Sequence, residues 1–205
     1  LLEERGIVPG AREDFFNPLY EKLHDPLLLP DIEKARGRVI EAIKNGEHIV
    51  VFSDYDADGI PGAVVLSDFF ARAKYENISF YIPHRHNEGF GLSLGAIDEC
   101  AKRGAKLIIT VDCGTADIAE VAAANAKGIN VIITDHHVPK SLQAGGLPKA
   151  YAIVNPNRED SIYPFKGLCG SAVVFKLVQA ILDKESFGVK AGMEKWSLDM
   201  VGIAT

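Results

Sequence analysis

The chain predicts an α/β fold: a three-layer α/β/α sandwich around a five-stranded parallel sheet of strand order 2-1-3-4-5, preceded by an N-terminal arm. Three observations predict it. Short apolar, β-branched runs recur along the chain, and strands buried on both faces read this way. Segments of helical spacing alternate with them, which implies right-handed βαβ units. Glycines and N-cap residues punctuate the joins.

Residues 1–30 are rich in turn residues and short apolar pieces, with Asn17-Pro18, Asp25-Pro26 and Pro30, and predict an arm with one short helix. The main domain spans 31–205. Its first helix is expected over 31–44, with Asp31 as N-cap, Ile32, Ala35, Val39 and Ile43 at helical spacing, and Asn45-Gly46 as the stop. HIVVF (48–52) is the first strand, followed by a helix over 61–74 with Pro61 in its first turn. A strand over 78–82 and a helix over 93–103 come next, then a strand over 107–111 and a helix over 116–127 that Thr115 should cap. Strands over 130–134 and 151–154 and a helix over 171–183 complete the pattern.

Composition bounds the function. The 205 residues suit one domain with a helical arm, and a 47% hydrophobic content supports a sizeable core. The net charge of −6 does not advertise a nucleic-acid binder. It is compatible with one whose site holds divalent cations, because bound ions reverse the local charge. Three cysteines, Cys100, Cys113 and Cys169, without C-x-x-C spacing, argue against a disulfide framework and suit a reducing cytoplasm. No apolar run reaches the roughly 18–20 residues that span a bilayer, and the N-terminus does not read as a signal peptide. It also lacks an initiator Met, and the chain stops inside the apolar run MVGIAT (200–205); both ends suggest a piece of a longer protein.

The chemistry gathers at strand ends. Asp54, Asp56 and Asp58 follow the first strand, and His84, Arg85 and His86 the second. Asp112 ends the third, Asp135, His136 and His137 end the fourth, and Asn155 and Arg158 follow the fifth. A parallel α/β sheet places its ligands outside the carboxyl ends of its strands, so the topology alone collects these acids and imidazoles on one edge. Three aspartates within five residues repel one another unless a cation is present; helix capping explains one of them. An EF-hand is a poor fit, since no glutamate stands where its loop requires one. Carboxylate and imidazole ligands together suit Mn²⁺, Mg²⁺, Fe²⁺ or Zn²⁺. Many acids with few imidazoles suggest two ions about 3.5–4 Å apart, which stabilise the attacking and leaving oxygens of an in-line phosphoryl displacement.

VFSDYDADG (51–59), TVDCG (110–114) and TDHH (134–137), in that order, resemble the three motifs of the DHH phosphoesterase family. The flanks LHDPLLLPD (23–31), IPHRHNEGFGL (82–92), VNPNRED (154–160) and GLCGSAVVFKL (167–177) are similar to its RecJ-type exonuclease branch, so the likeness covers essentially the whole chain. It implies a single-stranded-DNA-specific 5′-3′ exonuclease that releases 5′-mononucleotides in recombination and repair, using Mn²⁺ or Mg²⁺, two ions to a site. By position, Asp56, Asp58, Asp112 and His136 become metal ligands, with Asp112 bridging. His137 touches the scissile phosphate, and Asp54 is a ligand or orients the attacking water. Pyrophosphatase-like relatives carry a histidine where this chain has Phe52, which favours the nuclease branch.

Arg85 and Arg158 are candidate phosphate binders, or surface and structural arginines. Ser171, at an expected helix N-terminus, is a candidate phosphate holder or an ordinary cap. His84 and His86 read as rim residues. The family likeness also implies a further metal-binding aspartate beyond MVGIAT, and DHH-associated and OB-fold domains that help to form the DNA groove; none lies within the 205 residues, so the isolated piece is expected to hold metal weakly. Two other readings stand beside the exonuclease: a phosphoesterase for short oligonucleotides, cyclic dinucleotides or pyrophosphate, and a non-catalytic replication scaffold. The scaffold sits poorly with a chain that retains Asp56, Asp58, Asp112 and His136.

Overall fold

The computed structural model describes residues 1–139 and 146–205. Its sheet has five parallel strands in the order β2-β1-β3-β4-β5, as expected: β1 Ile49–Ser53, β2 Ile78–Tyr81, β3 Leu107–Val111, β4 Asn130–Thr134 and β5 Ala152–Val154. The three central strands are almost wholly buried, and their apolar runs are the reason. Alternate residues feed opposite layers. Ile49, Val51, Leu107, Ile109 and Val111 face one helical layer, while Val50, Phe52, Ile108 and Ile133 face the other.

Seven α-helices are described: α1 Arg12–Phe16, α2 Ile32–Lys44, α3 Gly59–Arg72, α4 Leu94–Lys102, α5 Ile118–Ala126, α6 Gly170–Lys184 and α7 Leu198–Ala204. Helices α2, α3 and α6 cover one face, α4 and α5 the other. Gly62 lets α3 settle on the sheet: a β-carbon there would lie 2.6 Å from Val111 Cγ1. Ser93 caps α4, accepting the Ala96 amide at 3.1 Å.

Several local expectations are corrected. Asp31 precedes α2 but caps nothing with its side chain; its φ is 53°, and its carboxylate instead accepts the Ile153 amide of β5 at 3.1 Å. Helix α3 begins at Gly59 rather than 61, because the carbonyls of Asp56 and Asp58 already accept from Ile60 and Gly62. Helix α5 begins at Ile118, with Asp117 rather than Thr115 at the N-cap position. The arm holds α1 and several 3₁₀ turns and is mostly exposed. It is tied to α6 by Lys176, which donates to the His24 carbonyl at 2.6 Å, and by Gln179, which donates to the Tyr20 hydroxyl at 3.1 Å.

Candidate metal centre

The carboxyl ends of β1, β3 and β4 open side by side. Their last residues stand in register, Ser53 opposite Val111 and Val111 opposite Thr134, so the next residue of each strand projects from one edge. Those residues are Asp54, Asp112 and Asp135, all about 1% exposed. Beyond Asp54 the chain folds back on itself. Ser53 Oγ donates to the Gly59 carbonyl at 2.8 Å, and a β-carbon on Gly59 would lie 2.6 Å from the Asp54 carbonyl oxygen. Asp56 Oδ1 accepts the Gly59 amide at 3.0 Å, and Asp58 Oδ2 accepts the Gly170 amide at the start of α6 at 2.7 Å. Asp112 adopts φ 61°, a left-handed conformation that costs a non-glycine residue about 1–3 kcal/mol and persists only where surroundings enforce it.

Ligating atoms of Asp54, Asp56 and Asp112 lie within 4.8 Å of one another, and so do those of Asp112, His136 and His137. His136 Nε2 stands 3.2 Å from Asp112 Oδ1 and 3.4 Å from Asp58 Oδ2. Both oxygens of Asp54 and both of Asp112 are buried without a hydrogen bond. Apart from the His136 contact to Asp112, these carboxylates lose their hydration with little in exchange, and native proteins rarely tolerate that without a cation or water. Hard oxygen donors with one or two imidazoles suit a divalent ion of the manganese or magnesium class, and four such oxygens beside Asp56 fit it.

Charge within the cluster follows from burial and neighbours. Burial pushes the Asp112 carboxyl up to about 7, with the nearby Asp58 and Asp56 adding to the rise against the pull of His136. Burial also raises Asp54. Asp56 feels burial too, but the Gly59 and Asp58 amides hold it below the ordinary carboxylate range. The Asp112 carboxylate beside His136 raises that imidazole. His137 is raised to about 9, chiefly by its hydrogen bond to Asp135.

Asp135 belongs to neither ligand group and holds the two histidines. One oxygen, Oδ1, accepts the His136 amide at 2.7 Å, the His137 amide at 3.1 Å and His137 Nδ1 at 2.7 Å, while Oδ2 accepts the Thr115 amide at 3.0 Å. Burial opposes its ionisation, yet these donors keep it below the usual range. From the end of β5, Asn155 Nδ2 donates to the His137 carbonyl at 2.9 Å and Asn157 Nδ2 to the His136 carbonyl at 2.5 Å. Asp135 and Asn155 were singled out by their place at strand ends, but their supporting bonds were not legible. Asn157 carried no signal of its own, and the Gly170 amide, read as a phosphate holder at a helix N-terminus, instead holds Asp58.

The rim is more open. Arg85 lies 4.6 Å over the Tyr55 ring, and exposed Phe90 meets the His137 ring edge-on at 5.6 Å. His84 and His86 are exposed and belong to neither ligand group. Phe52, at the position of the pyrophosphatase-type histidine, is buried and stacks on Tyr81 at 5.3 Å. Two expected phosphate binders have other partners. Arg158 donates to Asp31 Oδ2 and the Ile153 carbonyl at 2.7 Å each and grips Asp160 with two more bonds, so its fork is spent inside the protein. Ser171 is fully buried, its hydroxyl 3.3 Å from Cys169 Sγ. Cys113 is buried and its thiol pushed up by that burial, as a packing residue would be.

Residues 48–205 match the DHH family, N-terminal domain. The chain is 40% identical over 159 residues to the single-stranded-DNA-specific exonuclease RecJ of Bacillus subtilis (strain 168), covering 78% of this chain and 20% of that protein. It is 42% identical over 154 residues to the enzyme of the same name from Salmonella typhimurium (strain LT2), covering 75% of this chain and 26% of that one. The crystal structure of RecJ in complex with Mn²⁺ from Thermus thermophilus superposes on the whole chain with a TM-score of 0.75 and 28% identity, the chain covering 27% of it. The chain thus spans about a fifth to a quarter of the length of these relatives.

Proposed function

The chain belongs to the DHH family, and from that premise we propose that it is the nuclease domain of a single-stranded-DNA-specific exonuclease, hydrolysing phosphodiester bonds with Mn²⁺ or Mg²⁺. The reading includes 5′-3′ polarity, release of 5′-mononucleotides, a place in cytoplasmic DNA repair and recombination, and further domains, DHH-associated and OB-fold, that supply basic surface for the strand. No helix among the described residues is long and apolar enough to cross a membrane.

The observation that carries the reading is the set of four buried, unbonded carboxylate oxygens on Asp54 and Asp112 beside Asp56. Asp56, Asp58, Asp112 and His136 would hold two divalent cations, with Asp54 as a further ligand or as the group that orients water. Once bound, such ions neutralise charge on the attacking and leaving oxygens of an in-line displacement. The protein's own residues do the rest. His137, fixed through Nδ1 by Asp135, keeps Nε2 for a non-bridging phosphate oxygen, where it meets the charge that develops. Arg85 stands on the rim over Tyr55 with its guanidinium free of acidic partners among the described residues, suited to the next phosphate.

The test uses the complete protein carrying this chain, with a 5′-labelled single strand, the matching duplex, and a dinucleotide, each with Mn²⁺ and with chelator. Chelator-sensitive release of labelled mononucleotide from the single strand is expected. Turnover confined to the dinucleotide moves the substrate to short oligonucleotides, and no turnover with bound Mn²⁺ ends the catalytic reading.

A further inference from the structure

The histidine pair lies just past the end of β4, where the ladder no longer supplies partners. Asp135 N still pairs with the Val154 carbonyl. Beyond it, the backbone groups of His136 and His137 need other partners, because buried or half-buried amides and carbonyls are costly to leave unpaired. All four are satisfied by side chains. The two N–H groups go to one carboxylate oxygen of Asp135. The two carbonyls are divided: His136 O accepts from Asn157 Nδ2, and His137 O from Asn155 Nδ2.

These two asparagines are themselves fixed. Asn155 is fully buried, its amide nitrogen also donates to Thr115 Oγ1 at 3.1 Å, and its Oδ1 accepts the Asn157 amide at 2.8 Å. The turn they share is anchored to the scaffold by Arg158, through Ile153 O and Asp31. Each position needs a donor for a backbone carbonyl, which asparagine supplies and a carboxylate does not.

We propose that Asn155 and Asn157 are positioning residues with separable duties: Asn157 sets the metal ligand His136, and Asn155 sets the phosphate-facing His137. The proposal rests on the metal reading given above. Supports of this kind beneath ligand residues typically matter about 10–100-fold in metal affinity or activity.

The experiment compares Asn157→Asp and Asn155→Asp with wild type in the complete protein. Mn²⁺ affinity is read from the EPR signal of free Mn²⁺, turnover on a single-stranded oligonucleotide at saturating Mn²⁺, and folding from thermal melts. Asn157→Asp is expected to weaken Mn²⁺ binding about 10–100-fold while most of kcat returns at saturating metal. Asn155→Asp is expected to keep wild-type Mn²⁺ affinity and lose about 10–100-fold in kcat. Merely structural roles would lower both quantities together with the melting temperature, and that result, or two variants like wild type, overturns the proposal. Should Asn155→Asp fail to fold, Asn157→Asp at its half-buried position decides alone: unchanged Mn²⁺ affinity sinks the idea. A wild-type protein that binds no Mn²⁺ defeats the underlying metal reading, whereas wild-type binding with indifferent variants defeats only the division of labour.

Discussion

A β-carbon placed on Gly170 would lie 2.5 Å from Cβ of Asp112 and 2.6 Å from its Oδ1. The first residue of α6 therefore touches the central carboxylate of the candidate metal centre, while its amide holds Asp58 at 2.7 Å. Alanine in place of a helical glycine usually stabilises a protein by up to about 1 kcal/mol. Here the added methyl has no room, and Asp112 must move or α6 must retreat. Gly170→Ala is expected to destabilise the fold by about 1–3 kcal/mol and to weaken Mn²⁺ binding. Chemical denaturation with and without Mn²⁺ checks both, and a stabilised, Mn²⁺-responsive variant would show that the contact is not enforced.

Asp112 supplies the second prediction. Its two buried oxygens make no well-formed hydrogen bond; His136 Nε2 stands 3.2 Å from one of them, and Asp54, Asp56 and Asp58 crowd the rest of the site. Without metal, the charged form is a liability that Asn would relieve. Asp112→Asn should raise the melting temperature of the metal-free protein by a few degrees, about 2–4 °C for each kcal/mol regained in a chain of this size. The same variant should lack the Mn²⁺-induced stabilisation expected of wild type. A wild-type melting shift with Mn²⁺ in the variant would remove Asp112 from the ligand set.

The sheet and the placement of the acids were legible because both are written locally. Apolar β-branched runs such as 107–111 read as buried strands, and the residue after each run falls at the same edge whatever packs elsewhere. What escaped depends on partners distant in sequence. Asp31 reads as a helix cap, yet its carboxylate is taken by Ile153 and Arg158, more than a hundred residues away. Thr115 reads as a cap as well, but its hydroxyl accepts from Asn155. Arg158 and Ser171 look like phosphate binders by residue type, and only the fold shows the first gripped by two aspartates and the second sealed against Cys169. The left-handed backbone of Asp112 has no local signal, since it is imposed by packing around it. Helix α7 was not foreseen within the apolar tail.

The two arginines separate by experiment. Arg85 rests on Tyr55 at the open rim, whereas Arg158 ties Asp31 to the β5 turn. Arg85→Ala should leave the melting temperature near wild type and raise KM for a single-stranded oligonucleotide about tenfold, the loss of one charge-assisted bond worth roughly 1.4 kcal/mol. Arg158→Ala should do the reverse: a stability loss of about 1–3 kcal/mol, discounted from a fully buried pair because Asp31 is partly exposed, with KM little changed. Thermal melts beside steady-state kinetics distinguish them, and an Arg158 variant that melts normally but binds substrate poorly would restore it as a phosphate contact.

Lys176 gives a pH-dependent prediction far from the metal centre. It is 3% exposed, bonded to the His24 carbonyl and to Gln179, with Asp25 and Asp183 nearby. Burial depresses its pKa to about 8, and the two aspartates recover only part of the loss. In the unfolded chain a lysine titrates at about 10.4. Between about pH 8 and about pH 10.4 the unfolded chain therefore binds more protons than the folded one, and this group's contribution to stability rises with pH. Below pH 8 the folded protein bears the full cost of a buried ammonium. Lys176→Met carries no such cost, although it leaves the His24 carbonyl without its donor. The melting temperature of the variant minus that of wild type should thus be most positive at pH 7 and decline steadily as pH climbs from 8 toward 10. Taking the difference cancels the phenols of Tyr20 and Tyr163, which are also raised. A difference that stays flat across that window would mean that Lys176 keeps its ordinary pKa and that the arm is not clamped over it.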